Sequence, residues 1–452
     1  MNEQPVTIRV VTTFSEAYHL LTEARQRFDT VLPPQVQKRI QELFGKALTA
    51  EEIVTQIIHD VRREGDTALV RYTHLLDGVQ LESLEVTPEE FAAARQRVAP
   101  DIRTALEAAA ARIRAFHAQQ RSQTWLTFDG TGTFGQLVRP LERVGVYAPA
   151  GRAPYPSSLL MSAIPAQVAG VREIVICTPP LPDGSAHPLI LTAAEIAGTH
   201  RVFKIGGAQA IAALALGTAT IPKVDKIVGP GNIFVVLAMR AVFGIVDIGL
   251  LPGPTETLLI ADDSANPVLC AADLLAQAEH DPMASAILLT TSVDLAQQVV
   301  AEVQRQLPRL ERAAIAREAL ERNGLIAVVP TLDDAFTLAN AYAPEHLCLL
   351  VQDAWRYLDK VMHAGGVFLG EQSPEVIGDY VAGPSHVMPT GQTARFASPL
   401  NVETFLKRTS IIAVHESGLR SLGPTAITLA RAEGLTAHAA AIEQRLERLR
   451  PD

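Results

Sequence analysis

A strand–turn–helix unit recurs between residues 143 and 243, and this repetition restricts the fold more than any other feature of the chain. Apolar or β-branched runs such as "REIVICTPP" and "RVFKIGG" stop at proline or glycine, and helical stretches such as "AQAIAALALG" follow them. "DKIVGPGNIFVVLAMRAVFG" repeats the order of strand, Pro-Gly-Asn turn and helix. Alternation of strand and helix predicts parallel strands joined by right-handed crossovers. We therefore predict a parallel sheet here.

A second run of strands and helices follows, after a first part that is mostly helical to about residue 130. Its strands are "TETLLIAD", "ASAILLTTS", "LIAVVP" and "LCLLV", and its first helix has Asn266 as cap and Pro267 at the first helical position. The predicted class is α/β, with two parallel-sheet (incomplete Rossmann-like) domains plus small N- and C-terminal segments. A chain of 452 residues is long enough for several domains. The predicted divisions are an N-terminal segment 1–30, a discontinuous α/β domain 31–146 and 254–395, an α/β domain 147–253 and a C-terminal segment 396–452.

Composition excludes several classes of function. The formal net charge is −10 and no basic run interrupts it, which argues against nucleic-acid binding. No apolar run reaches the length of a membrane span, and the N-terminus has no signal-peptide pattern. Three widely spaced cysteines form neither a disulfide framework nor a CxxC zinc site. We expect a cytoplasmic metabolic enzyme with no nucleic-acid or membrane partner.

The dipeptide Glu-His occurs twice, in "AQAEH" and in "APEH". In a helix from about 267 to 280, Gln277 and His280 are three residues apart and share a face, so both can reach one metal ion. Glu279 points elsewhere on that helix. The competing interpretation is a polar face near the helix C-terminus, where a histidine complements the dipole.

The second pair, Glu345-His346, lies between Pro344 and the strand "LCLLV". A carboxylate beside an imidazole can serve as two proton-transfer groups. A polar surface loop is the competing interpretation. Further along, "GDYVAGPSHVMPT" places Asp379 and His386 in a loop rich in glycine and proline, a kind of segment that often carries sites.

Taken together, the ordered motifs resemble the histidinol dehydrogenase family, over roughly residues 30–445. The resemblance rests on "VGVYAPAGRAPYPSSLLMSAIPAQVAGV", "GGAQAIAALALGT", "VGPGN", "PGPTETLLIAD", "DLLAQAEHDP", "APEHL", "GDYVAGPSHVMPT", "FLKRTS" and "EGLTAHA". It implies NAD-dependent oxidation of L-histidinol to L-histidine through the aldehyde, with one zinc ion per site and two NAD molecules, in the last steps of histidine biosynthesis.

The resemblance also implies roles for individual residues. Glu345 and His346 would be the catalytic acid–base pair. The implied zinc ligands are Gln277, His280, Asp379 and His438, a nitrogen and oxygen set suited to zinc. The implied cofactor-binding residues are Tyr147, Gln209 and Asn232, although no GxGxxG motif occurs there. Substrate contacts would come from Thr255, Gln277, His280, His346, Asp379, His386, Glu433 and His438.

The family is a homodimer in which the C-terminal segment crosses to the partner, so the resemblance implies that Glu433 and His438 complete the other subunit's site. Three details depart from the family pattern: Thr255 replaces the usual serine, residues 241–253 are a few residues shorter, and "SHV" replaces Asn-His-Val. Two alternatives stay open. One is a paralogue that oxidises another small alcohol with the same zinc and NAD, and the other is a non-catalytic metal-binding protein on this fold.

Overall fold

The computed structural model describes residues 5–23, 32, 34–120, 122–150, 154–199 and 201–450. It confirms the predicted α/β class, with two all-parallel sheets covered by helices and a third, antiparallel sheet. The strands are β1 Arg9–Val11, β2 Trp125–Phe128, β3 Gly132–Pro140, β4 Arg143–Tyr147, β5 Glu173–Cys177, β6 Arg201–Phe203, β7 Lys226–Val228, β8 Asp247–Ile248, β9 Glu256–Ala261, β10 Ser285–Thr290, β11 Leu325–Val328, β12 His346–Leu350, β13 Gly366–Leu369 and β14 Leu406–Val414.

The helices begin where sequence signals favour it. Thr49 and Thr87 each cap a helix in a reciprocal capping box with the glutamate three residues later, and Asn266 caps the helix that starts at Pro267. The α-helices are α1 Phe14–Glu23, α2 Pro34–Phe44, α3 Ala50–Glu64, α4 Asp66–Asp77, α5 Pro88–Arg97, α6 Pro100–His117, α7 Pro156–Ala169, α8 Pro188–Ile196, α9 Gly207–Leu216, α10 Ile233–Val242, α11 Pro267–Ala278, α12 Val293–Gln306, α13 Ala313–Asn323, α14 Leu332–Tyr342, α15 Glu375–Tyr380, α16 Glu416–Ala432 and α17 Thr436–Arg448.

The five-stranded sheet has the order β6-β5-β4-β7-β8. Successive side chains of a strand point to opposite sides of a sheet, and here the side chains on both sides are apolar, so each face carries a core. Val175 and Cys177 of β5 pack into one core with α3, α4, α9 and α10. Ile174 and Ile176 pack into a second core with α5, α6, α7 and α8.

The six-stranded sheet has the order β1-β11-β10-β9-β12-β13, and its central strand β9 is buried throughout. Leu259 faces a core built with α11, α12 and α13, whereas Leu258 and Ile260 face one built with α1 and α14. In a parallel sheet each crossover helix runs back against the strand direction. The C-terminus of α11 therefore returns to the amino-terminal edge of β9, which places the candidate site.

The domain divisions predicted from the sequence stay a prediction. The observed packing joins segments that these divisions separate. Helices α3 to α6, in the range assigned to the discontinuous domain, pack into the two cores of the five-stranded sheet. β14 lies far along the chain but pairs antiparallel with β3, which also pairs with β2. α16 and α17 pack against each other. Among the described helices, none combines the length and apolarity that a membrane crossing requires.

Candidate active site

Thr255, Gln277 and Glu345 meet at the amino-terminal edge of the six-stranded sheet. Thr255 directly precedes β9, and the last turn of α11 brings Gln277 beside it. The Gln277 Nε2 donates a hydrogen bond to Thr255 Oγ1 over 2.8 Å, and Thr255 Oγ1 donates to Glu345 Oε2 over 2.6 Å. α11 ends at Ala278, two residues before the predicted end, so Glu279 is its C-cap and His280 lies beyond it.

The Glu345 carboxylate is buried and held at one oxygen. Besides the Thr255 hydroxyl, the backbone N–H of Glu256 donates to Glu345 Oε2 over 3.0 Å. Burial raises the pKa of Glu345 to about 7, against the opposing effect of His346 and the Thr255 hydrogen bond. The turn that presents it contains Ala343, a non-glycine residue with φ of 53°, which is a strained conformation of a kind found at functional sites.

His346 is the first residue of β12 and pairs in register with Thr257 of β9. Its Nδ1 lies 3.1 Å from the carbonyl oxygen of Glu256, and because a carbonyl only accepts, Nδ1 carries the proton. Its buried Nε2 has no hydrogen-bond partner among the described residues and lies 3.8 Å from Asp379 Oδ1. Burial by itself would lower the pKa of His346, but the carboxylates of Glu345, Glu375 and Asp379 raise it to about 9.

The side chain of His386 connects the loop after α15 to α7, a helix that covers the five-stranded sheet. Its Nδ1 lies 2.8 Å from the backbone oxygen of Asp379, and its Nε2 lies 3.0 Å from the hydroxyl of Ser158 in the first turn of α7. The carbonyl again assigns the proton to Nδ1, so Nε2 accepts from Ser158. Burial lowers the pKa of His386, although Asp379 opposes this. Both ring nitrogens are thus engaged within the chain.

The four predicted metal ligands do not all meet in this single chain. Asp379 lies close to His346, with Oδ1 3.8 Å from Nε2, and both residues influence the pKa of His280. Gln277 contacts the neighbouring Thr255. His438 and Glu433 are exposed, on the first turn of α17 and at the end of α16. Within the described residues of this one chain, no group of three or more His, Cys, Asp or Glu side chains is placed to hold a metal ion.

The predicted cofactor residues lie at the carboxyl-terminal edge of the five-stranded sheet. Tyr147 ends β4, Gln209 is in the first turn of α9, and Asn232 caps α10. The Tyr147 hydroxyl accepts a hydrogen bond from the Gly207 N–H over 3.1 Å, and burial raises the pKa of Tyr147 to about 12. The amide of Gln209 is wholly buried, and both its oxygen and its nitrogen have no partner among the described residues.

The glycines after β7 let backbone approach backbone at this edge. Gly229 has φ of 118°, and a Cβ there would overlap the carbonyl oxygen of Tyr147. A Cβ on Gly231 would overlap the side chain of Val235. Helix starts that follow such turns offer backbone N–H groups and a favourable dipole to an anionic group. The unpartnered amide of Gln209 and these turns fit a dinucleotide.

The family model for histidinol dehydrogenase matches residues 44–446. A histidinol dehydrogenase of Deinococcus radiodurans is 54% identical over 418 residues, covering 92% of this chain and 95% of its own. One from Dehalococcoides mccartyi is 52% identical over 397 residues, covering 88% and 91%. The crystal structure of histidinol dehydrogenase from Elizabethkingia anophelis superposes with a TM-score of 0.90 at 36% identity, covering 99% of this chain and 100% of that one. The chain belongs to the histidinol dehydrogenase family.

Beyond the residues that the histidinol dehydrogenase resemblance supplied, the structure adds two side chains that sequence reasoning missed, Glu375 and Ser158. Glu375 is buried beside His346 and accepts a hydrogen bond from the Thr257 hydroxyl. Ser158 holds His386. Glu375 lies four residues before Asp379, a spacing that places both on one helix face and could have indicated it. Ser158 lies 228 residues from His386, and no local signal connects them.

Proposed function

We propose that this protein oxidises L-histidinol to L-histidine through bound L-histidinaldehyde, with one zinc ion per site and two NAD molecules, as the last steps of histidine biosynthesis. The observation that carries the proposal is the buried Glu345–His346 pair, which Thr255 joins to Gln277 by hydrogen bonds. A non-catalytic protein on this fold would have no use for that pair. The names of the relatives support the substrate.

The proposed zinc ligands are Gln277, His280 and Asp379, with His438 from the partner subunit. The orientation of the Gln277 amide fits this role. Its nitrogen donates to Thr255, so its oxygen is the atom left for a metal ion. When bound, zinc supplies orientation of the substrate and Lewis acidity at the alcohol oxygen.

In the first half-reaction, the neutral form of His346 takes the alcohol proton at Nε2. A pKa of about 9 makes that form the minor one at neutral pH, and its share grows as the pH rises. Nδ1 is held by the Glu256 carbonyl, and Nε2 is the ring nitrogen without a partner among the described residues. The imidazolium that forms is stabilised by the carboxylates of Glu345, Glu375 and Asp379, which face the ring. The proton thus moves to a site already surrounded by negative charge.

In the second half-reaction, Glu345 takes a proton from the water that adds to the aldehyde. The hydrogen bonds from Thr255 and the Glu256 N–H both end on Oε2, so Oε1 is the oxygen left for water. A pKa raised to about 7 suits a general base at neutral pH, because the group is both ionised and basic enough to accept a proton.

Tyr147, Gln209 and Asn232 would hold NAD at the carboxyl-terminal edge of the five-stranded sheet. Asn232 Oδ1 accepts from the N–H groups of Phe234 and Val235, which leaves its amide nitrogen for a ligand. When bound, NAD accepts one hydride in each half-reaction. The buried amide of Gln209, which has no partner among the described residues, would gain hydrogen-bond partners from NAD.

We also propose a homodimer in which Glu433 and His438 complete the partner's site. Both are exposed, and so are Leu422 and Leu429 of α16 and Leu435 between α16 and α17. Apolar side chains on a projecting helical pair gain stability when a second subunit covers them. A cytoplasmic location completes the proposal, and the three unpaired, buried cysteines suit a reducing compartment.

One assay tests the activity. Purified protein is supplied with L-histidinol and NAD, and NADH formation is followed before and after removal of metal with a chelator. We expect close to two NADH per histidinol, loss of activity on chelation, and recovery with Zn²⁺. Bound zinc without turnover of L-histidinol would contradict the substrate and favour the paralogue that oxidises another small alcohol.

A further inference from the structure

The hydroxyl of Thr255 is occupied on both sides by protein. Its proton goes to Glu345 Oε2 over 2.6 Å, and its lone pair receives the Gln277 Nε2 over 2.8 Å. A hydroxyl has one donor, and here that donor is committed to the carboxylate. Thr255 therefore has no proton to offer a substrate in this arrangement, which differs from the direct substrate contact that the family resemblance implies.

The direction of these two hydrogen bonds follows from the chemistry of the groups. A carboxylate only accepts, so the Thr255 proton points to Glu345 and a donor must face the Thr255 lone pair. That donor is the amide nitrogen of Gln277, which leaves the amide oxygen on the opposite side. The carboxylate thus fixes, through one hydroxyl, which atom of Gln277 is available as a metal ligand.

We propose that Thr255 is a positioning residue that couples the metal-binding amide of Gln277 to the carboxylate of Glu345. The inference rests on the proposed function, because it takes Gln277 as a ligand and Glu345 as a base. Chains of hydrogen bonds strengthen cooperatively, and partners that orient metal ligands contribute to metal affinity. A cation on the Gln277 oxygen makes its N–H groups better donors, and this strengthens both bonds of the chain.

The three residues that the hydrogen bonds connect come from three different parts of the fold. Thr255 precedes β9, Glu345 precedes β12, and Gln277 is in the last turn of α11, so one residue touches a crossover helix and the neighbouring strand. Gln277 and Glu345 are themselves buried. A threonine here offers the same hydroxyl as serine, and its additional methyl group limits rotation of the side chain.

The test measures metal affinity of the full-length protein, separately from turnover. Metal-free protein is prepared by chelation, and Zn²⁺ is titrated against a competing chelator for wild type, Thr255→Val and Thr255→Ser. Valine has the same shape without the hydroxyl, and serine keeps the hydroxyl. We expect Thr255→Val to weaken Zn²⁺ binding by about 10- to 100-fold, as loss of an orienting partner does elsewhere. Thr255→Ser should retain wild-type affinity.

A double-mutant cycle with Glu345→Gln isolates the coupling from simple loss of charge near the metal. Glu345→Gln should weaken Zn²⁺ binding, and its effect should be smaller in the Thr255→Val background, where the connection is already broken. Additive effects in a folded double variant would overturn the coupling, as would wild-type Zn²⁺ affinity in Thr255→Val or loss of affinity in Thr255→Ser.

Two further outcomes distinguish failure of this inference from a folding defect and from failure of the proposed function. If Thr255→Val does not fold, as shown by circular dichroism, the single variant Glu345→Gln decides, and unchanged Zn²⁺ affinity there overturns the inference. If wild type itself binds no Zn²⁺ at this site, the proposed zinc chemistry fails. Wild type that binds Zn²⁺ while Thr255→Val binds it equally well removes only the role of Thr255.

Discussion

Substitution of Glu345 by glutamine should separate the two half-reactions. Glutamine has nearly the same shape, and its amide oxygen can still accept from the Thr255 hydroxyl and the Glu256 N–H that hold Oε2. The change therefore removes the base and keeps its position. General-base catalysis contributes about 10²- to 10⁴-fold to a rate, so aldehyde oxidation should fall by about 100-fold or more. Alcohol oxidation, which uses His346 Nε2, should fall far less.

Aldehyde oxidation by the wild type should depend on pH through the ionisation of Glu345. The pKa of Glu345 is raised to about 7, mainly by burial, with His346 and Glu256 as the charged groups that face it. A base works when ionised, so aldehyde oxidation should decline as pH falls through that value. Between pH 8 and pH 6 the ionised fraction falls roughly tenfold for a group with such a pKa. The corresponding decline should be absent in Glu345→Gln.

The assay supplies L-histidinol and L-histidinaldehyde separately and follows NADH in single turnovers. With L-histidinol, wild type should form two NADH per substrate and Glu345→Gln should form close to one within the same time. The circular dichroism spectrum of the variant serves as a control for folding, and both proteins are assayed at saturating Zn²⁺ because Glu345→Gln is itself expected to weaken Zn²⁺ binding. Equal loss of both half-reactions would refute the division of labour between Glu345 and His346, and so would an unchanged pH dependence in the variant.

Three other perturbations test the cofactor site, the fold and the shared site. Gly229→Ala forces a Cβ against the Tyr147 carbonyl at a φ of 118° and should weaken NAD binding, measured by titration. The Zn²⁺ content of this variant, measured without histidinol, should stay unchanged. Tyr72→Phe removes a hydrogen bond of 2.7 Å to the buried carboxylate of Asp60 and should cost about 2 kcal/mol in urea unfolding at pH 7. Burial opposes the lowered pKa of Asp60, but Tyr72 and neighbouring cations hold it down, so this cost should shrink to that of a neutral hydrogen bond as pH falls through that pKa. A chain ended at residue 430, without His438, should lose zinc from both sites, and full zinc occupancy would contradict the shared site.

Local signals in the sequence predicted local structure well. The capping box at Thr49 and the Asn266-Pro267 start of α11 depend on residues within one helical turn, and both are present. The antiparallel sheet of β2, β3 and β14 was not predicted. β14 pairs with a strand about 270 residues earlier, and its side chains are mostly exposed, so no alternation of apolar and polar residues marks it.

The sequence named the candidate site residues, and their roles stay a prediction. Helical spacing predicted Gln277 and His280 on one helix face, but α11 ends at Ala278 and His280 lies beyond it. The resemblance supplied Glu345, His346 and Asp379. The Thr255–Glu345 hydrogen bond joins residues 90 apart, because β12 lies beside β9 in the sheet although β10 and β11 come between them in the chain. That order follows from the crossovers, which pack according to the whole fold.

The two parallel sheets contribute opposite edges to the proposed chemistry. The proposed cofactor residues lie at the carboxyl-terminal ends of β4, β6 and β7, where helix N-termini suit a pyrophosphate, whereas Glu345 and His346 stand at the amino-terminal end of β12. The hydrogen bond between Ser158 and His386 brings these edges together, since Ser158 is in the first turn of the helix that follows Tyr147 and His386 is fixed on Asp379. In the proposed function, the hydride acceptor at one edge takes hydride from the reacting carbon and the proton acceptor at the other takes the proton from its oxygen, so both oxidations would proceed on one bound substrate.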